Sequence, residues 1–136
     1  MEVGGERVAA VGGGLLVLVA AGAGDTPGAP AQLAAKVARL RIFADAEGRM
    51  NRSITDVGGE ALVVSQFTLY ADVRRGNRPG FTEAAAPDVG ERLVDAFCAA
   101  LRDHGIAVST GRFGAHMQVS LTNDGPVTIW LDVPFR

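Results

Sequence analysis

Near the C-terminus, two apolar runs are separated by Asn123-Asp124-Gly125-Pro126-Val127-Thr128, and this turn restricts the folds open to the chain more than any other segment. Asp-Gly between apolar runs ordinarily specifies a tight type I′ hairpin, because both residues tolerate positive φ. Here the residue placed to donate the closing hydrogen bond is Pro126, which has no N–H. A turn that gives up its own closing bond points to a functional constraint. An X-Pro bond also lowers the cost of a cis peptide, at Gly125-Pro126, to about 0.5–1 kcal/mol. Far upstream, Val63-Val64-Ser65-Gln66-Phe67-Thr68-Leu69-Tyr70 reads as a strand with a polar end, which delivers the Ser65 and Thr68 hydroxyls and the Gln66 amide to one place.

The rest of the chain supplies elements around these two segments. Gly4-Gly5 reads as a hairpin turn between two short strands. Residues 15–20 form a continuous apolar run, as expected of a strand buried on both faces. Asp25-Thr26-Pro27 can open a first helix, with Asp25 or Thr26 as cap and Leu33, Val37 and Leu40 on its inner stripe. Asp45-Ala46-Glu47-Gly48 is a turn, and residues 60–69 form the central strand. The spacing predicts a second helix with Asp88 and Glu91 as a capping-box-like start, Val89, Leu93, Phe97, Ala100 and Leu101 on one face, and Gly105 at its end. Strands are expected at 106–110, 117–122 and 127–133, the last two joined by the Asp-Gly-Pro turn. Strands in hairpins with two helices make an α+β domain on a mainly antiparallel sheet.

At 136 residues the chain suits a single domain with an ordinary core, and its apolar share of 48% is that of a globular protein. A formal net charge of −2 argues against an indiscriminate nucleic-acid binder, DNA included. A nucleic-acid contact must therefore be local, and Arg74-Arg75-Gly76-Asn77-Arg78 is the densest basic run, readable as a phosphate-contacting loop or as ordinary surface arginines. Cys98 is the only cysteine, which excludes a disulfide framework and suits a core position and a reducing cytoplasm. Residues 12–23 are too short and glycine-rich to span a bilayer, and lack the basic lead of a signal peptide.

Side-chain catalysis is poorly supported. A Ser65 or Thr68 nucleophile needs a general base, and the only two histidines are His104, which reads as a helix C-cap, and His116, ahead of a strand. No histidine–carboxylate spacing suggests a metal site, and no cofactor motif is present.

The segments Ser65-Gln66-Phe67-Thr68-Leu69-Tyr70 and Asn123-Asp124-Gly125-Pro126-Val127-Thr128 resemble the two signature motifs of the D-aminoacyl-tRNA deacylases, also called D-tyrosyl-tRNA deacylases. Leu40-Arg41-Ile42-Phe43, Gly48-Arg49-Met50-Asn51, Asp56-Val57-Gly58-Gly59-Glu60, Phe81-Thr82-Glu83-Ala84-Ala85 and the 111–117 segment are similar to the same family, in the same order. The likeness runs from about residue 3 to residue 132. Members usually carry a further strand ahead of the position matching Val3; this chain lacks it, and a start assigned too late or truncated is the expected explanation. Gly80 stands where many relatives have serine.

The resemblance implies a barrel-like sheet with two main helices, a cytoplasmic homodimer, and proofreading hydrolysis of D-aminoacyl-tRNA, and of glycyl-tRNA mischarged on the alanine tRNA. It implies catalysis assisted by the 2′-hydroxyl of the terminal adenosine, without metal or cofactor. Ser65 and Gln66 would hold the 3′ end, the N–H groups around Phe67 and Thr68 would face the ester oxyanion, and Thr68 would position rather than attack. Gly125-Pro126 of one subunit would enter the other's site and exclude an L side chain, braced by Asn123 and Thr128. Phe113 and Met117 are open between lining an adenine pocket and core packing. Arg112, like Arg74, Arg75 and Arg78, is open between tRNA contact and surface charge. The alternatives are a sister deacylase with relaxed chirality and a non-catalytic module that binds tRNA ends or protein.

Overall fold

The computed structural model describes residues 1–134. A short hairpin comes first, β1 (Glu2–Val3) and β2 (Glu6–Arg7), paired antiparallel. Its turn is made by Gly4 and Gly5, at φ 57° and 82°, as the Gly-Gly pair predicts. There follow β3 (Gly14–Val19), α1 (Ala29–Arg39), a second hairpin of β4 (Phe43–Ala44) and β5 (Met50–Arg52), β6 (Glu60–Ser65), α2 (Pro87–Asp103) and β7 (Ala107–Thr110). The 45–48 turn joins β4 to β5: Asp45 Oδ1 accepts the Glu47 and Arg49 N–H groups at 2.9 and 3.0 Å.

The main sheet corrects the antiparallel expectation. It has three strands in the order β3-β6-β7, and both pairings are parallel, with Leu15 opposite Ala61 and Ala61 opposite Val108. The reason is connectivity. A helix lies between β3 and β6, and another between β6 and β7, so each connection is a crossover that returns the chain in the same direction. The three sheets do not close into a barrel among the described residues.

Both faces of the sheet are covered. On one, Ala61 and Val63 meet Ala34, Val37 and Ala38 of α1 and Val94, Phe97, Cys98 and Leu101 of α2. On the other, Leu62 and Val64 meet Met1, with Val8, Val11, Leu16, Met117 and Val119 around them. Four successive buried residues, Ala61-Leu62-Val63-Val64, are the mark of a parallel strand covered on both sides.

The helix boundaries depart from expectation in detail. α1 begins after Gly28, with no side-chain cap and Pro30 in its first turn. Asp25 is occupied elsewhere, accepting the Gly22 N–H at 2.8 Å. α2 begins at Pro87 without a capping box, although Asp88 still complements the helix dipole. Its buried stripe is Gly90, Val94, Phe97, Cys98 and Leu101, and Val89 faces outward. Gly105, at φ 81°, ends it with an N–H to the Arg102 carbonyl.

Three expected strand segments also change. The central strand stops at Ser65, and Phe67–Tyr70 is a 3-10 turn. Residues 117–122 contribute one antiparallel bridge, Gln118 to Glu2, and residues 127–133 form no strand. A strand needs a row of backbone partners, and among the described residues the chain supplies these segments with that single pairing.

Candidate functional site

The polar end of β6 is built by a change of backbone geometry. The Gln66 N–H reaches the Val19 carbonyl at 2.8 Å as the last bond to β3, and the chain then tightens into the 3-10 turn. Leu69 and Ala71 donate back to Gln66 and Thr68 at 3.1 and 3.0 Å. The first N–H groups of a helical turn have no acceptor behind them. Accordingly, neither the Phe67 nor the Thr68 N–H has a hydrogen-bond acceptor among the described residues. The Gln66 side-chain amide donates to the Thr68 hydroxyl, fixing both side chains while leaving the Thr68 proton able to donate. Neither histidine hydrogen-bonds Ser65 or Thr68. Phe67 is not a core residue: it is 57% exposed and held edge-on by Phe81, ring centroids 4.9 Å apart.

The second segment restores its missing turn bond through a side chain. Asn123 Oδ1 accepts the N–H of Val127 at 2.9 Å, one residue beyond the proline that cannot donate. Asn123 Nδ2 donates to Thr128 Oγ1 at 2.9 Å, so the residue expected to brace the turn bonds it twice. The Gly125-Pro126 peptide is cis. Gly125 sits at φ 145°, where a Cβ would lie 2.8 Å from Val127 Cγ2, so a side chain there is both strained and crowded. The turn projects into solvent, and no hydrogen bond, ion pair or ring contact among the described residues joins 123–128 to 65–68.

The remaining candidates are scattered. Phe113 lies over the α2 start, its Cζ 3.7 Å from where a Gly90 Cβ would be. Met117 packs under the sheet near Leu62 and Val64. Arg112 pairs with Glu6 at 3.5 Å on the surface. Arg74 is not a free cation: its Nε and terminal nitrogen hold the two Asp72 oxygens at 2.9 and 2.8 Å. Arg75 and Arg78 are exposed, with no ion-pair partner among the described residues.

Sequence reasoning missed Asp72, and it read Phe81 and Tyr70 as parts of motifs without their contacts. Asp72 had a readable signal, a carboxylate two residues before an arginine at a loop mouth; the Phe67–Phe81 contact had none. Tyr70 lines a small cleft with Val19, Asp25, Pro30, Phe97 and Leu131. Burial, then the charges of Asp25, Asp132 and Glu83, pushes its phenol above the usual value. This cleft encloses about 60 Å³, below the ~300 Å³ at which ligand pockets begin. Among the described residues no helix is long and apolar enough to cross a membrane, and no cluster of His, Cys, Asp and Glu could hold a metal.

Comparison with known proteins gives these features a setting. The family model described as D-Tyr-tRNA(Tyr) deacylase matches residues 1–132. A D-aminoacyl-tRNA deacylase of Dinoroseobacter shibae is 64% identical over 132 residues, covering 97% of this chain and 91% of that protein. One from Roseiflexus sp. (strain RS-1) is 63% identical, covering 97% and 85%. The solved structure of a c-Myc DNA unwinding element binding protein superposes with a TM-score of 0.90 at 39% identity, covering 98% of this chain and 91% of that one.

Proposed function

The chain belongs to the D-Tyr-tRNA(Tyr) deacylase family, an aminoacyl-tRNA hydrolase family of translation proofreading, and on that premise we propose how it works. It cleaves the ester between a D-amino acid and the 3′ end of tRNA, in the cytoplasm, as one deacylase domain in a homodimer. Glycyl-tRNA is a second substrate, since an achiral residue presents nothing for a chiral filter to reject.

The observation that carries this reading is the strand-to-turn junction at residues 65–68, where two N–H groups stand without acceptors beside a fixed Thr68 hydroxyl. Addition of water to the ester carbonyl places negative charge on its oxygen, and two preset donors stabilise that charge by a few kcal/mol each. Ser65 and Gln66 orient the terminal nucleotide. With no side-chain base at hand, the 2′-hydroxyl of the terminal adenosine helps to activate the water. The tetrahedral adduct then collapses, the C–O bond to the ribose breaks, and free tRNA and the D-amino acid leave.

Chirality is read by backbone. Gly125-Pro126 of one subunit enters the partner's site, where its carbonyls hold the α-amino group and the close backbone excludes an L side chain. The separation of residues 123–128 from 65–68 within one chain supports supply of the turn by a second copy. So do the exposed apolar side chains of Leu121, Ile129 and Trp130 on the same segment. DNA is not a partner in this reading, given the net charge of −2.

The test is deacylation of D-tyrosyl-tRNA and L-tyrosyl-tRNA side by side. Loss of the D form alone is expected, and loss of neither overturns the assignment. Pro126→Ala is expected to cost activity or chiral rejection far more than Thr68→Ala. A Thr68→Ala variant as dead as Pro126→Ala would reinstate a side-chain nucleophile.

A further inference from the structure

The loop that follows the site is closed and internally stapled. Asp72 and Gly80 exchange both backbone hydrogen bonds, N–H to carbonyl at 2.7 and 2.9 Å, which pins the mouth of the 73–79 segment. Gly76, at φ 67°, turns its tip. Asp72 Oδ1 also accepts the Arg74 backbone N–H at 3.0 Å, so one carboxylate holds both the main chain and the guanidinium of Arg74. Glu83 stands 3.9 Å from the same guanidinium. Immediately after the closing Gly80 comes Phe81, whose ring packs on Phe67 of the site. The mouth of the loop is therefore registered against the residues that face the ester.

This arrangement divides three arginines into two kinds. A phosphate approaching Arg74 must displace a bidentate carboxylate and meets the charge of Glu83 as well. Arg75 and Arg78 flank the tip glycine and its neighbour Asn77 with no such competitor. Two uncommitted cations on a preset loop bind a phosphodiester with less ordering cost than the same cations on a free segment.

We propose that residues 72–80 are a phosphate clamp for the single-stranded end of the substrate tRNA, with Arg75 and Arg78 as its contacting cations and Asp72 as its positioning residue. Arg74 is the staple that Asp72 holds. The proposal rests on the tRNA-deacylase reading above. Arg74's side-chain and backbone donors hold the Asp72 carboxyl down to about 2. A depressed carboxylate keeps its contribution above its ordinary value and loses it only as pH falls through the lowered one. The staple thus stays ionised until pH falls toward about 2.

Two readouts on the full chain test the clamp: uncharged tRNA binding across a KCl series, and kcat and KM for D-tyrosyl-tRNA. Arg75→Gln/Arg78→Gln is expected to flatten the log K against log salt slope by about 1.4, at ~0.7 per single-strand phosphate. The same variant should raise KM about tenfold with kcat little changed. Arg74→Gln is expected to raise KM without changing the salt slope; Asp72→Asn, which releases Arg74, is expected to raise KM without flattening the slope, and Asp72→Glu to recover part of that loss. A slope reduced by Arg74→Gln as much as by Arg75→Gln or Arg78→Gln overturns the division of roles. A wild-type chain that deacylates D-tyrosyl-tRNA while the double variant keeps its slope and KM overturns the clamp alone. A wild-type chain that deacylates neither tRNA overturns the parent reading and the clamp with it.

Discussion

The β3-β6-β7 sheet with α1 and α2 and the segment from residue 111 to residue 134 are both rich in apolar side chains, yet they stand in opposite conditions. In the first, Ala34, Ile54, Ala61, Val63, Phe97 and Leu101 are essentially sealed from solvent, and the strands pair along their length. In the second, Trp130 is 68% exposed, Leu121 and Ile129 lie open beside it, and Gln118 makes the one backbone bridge among the described residues. The first region satisfies itself. The second leaves Leu121, Ile129 and Trp130 open to solvent, and it carries the turn whose backbone closing bond is replaced by Asn123. The two conditions meet at the end of β6, where the sealed sheet gives way to the exposed 3-10 turn at Phe67–Tyr70.

The strongest way to break this comparison is to attack the sealed half. Phe97→Ala removes the largest fully buried side chain, and a loss of about 3–5 kcal/mol is expected in denaturant unfolding. A loss under 1 kcal/mol would mean that the core lies elsewhere. Trp130→Glu should do the reverse: thermal unfolding of the isolated chain should move little, within about 0.5 kcal/mol, while sedimentation shows monomer and deacylation disappears. An active monomer at any concentration would remove the second subunit from the site.

Asn123→Ala sharpens the contrast within the open segment. It deletes the acceptor for Val127 and the donor to Thr128, so about 1 kcal/mol of local order should go. Chiral selectivity should fall while global stability holds; unchanged selectivity would show that the turn needs no brace. The smallest effect lies at the seam between the regions. Tyr70, the chain's only tyrosine, should ionise above its ordinary value of 10.0 in an alkaline absorbance titration. Burial is the main cause and Asp132, on the open segment, a lesser one, so Asp132→Asn should lower the midpoint slightly. A midpoint at the ordinary value would mean that Tyr70 is not buried in its cleft.

Much of the fold was legible because it is locally encoded. Gly4-Gly5 and Asp45-Ala46-Glu47-Gly48 specify turns through their own φ preferences and side-chain bonds. The α2 stripe repeats at helical spacing and Gly105 stops it. Val89 was misplaced because spacing alone cannot say which side of a wide stripe meets the sheet. In the site, the polar strand end and the broken turn announced themselves by residue type. The engagement of Arg74 by Asp72, and of Phe67 by Phe81, did not, because both depend on how a loop closes.

By itself the sequence determined the family, through two separated motifs, and several places where the backbone must turn or forgo a donor. Tertiary structure alone decided that the main sheet is parallel, that β6 breaks into a 3-10 turn after Ser65, and that residues 127–133 find no strand partner among the described residues. The physical reason is one of range. Dihedral preferences and short side-chain bonds act over a few residues, whereas strand direction and pairing depend on which distant backbone groups arrive to meet them.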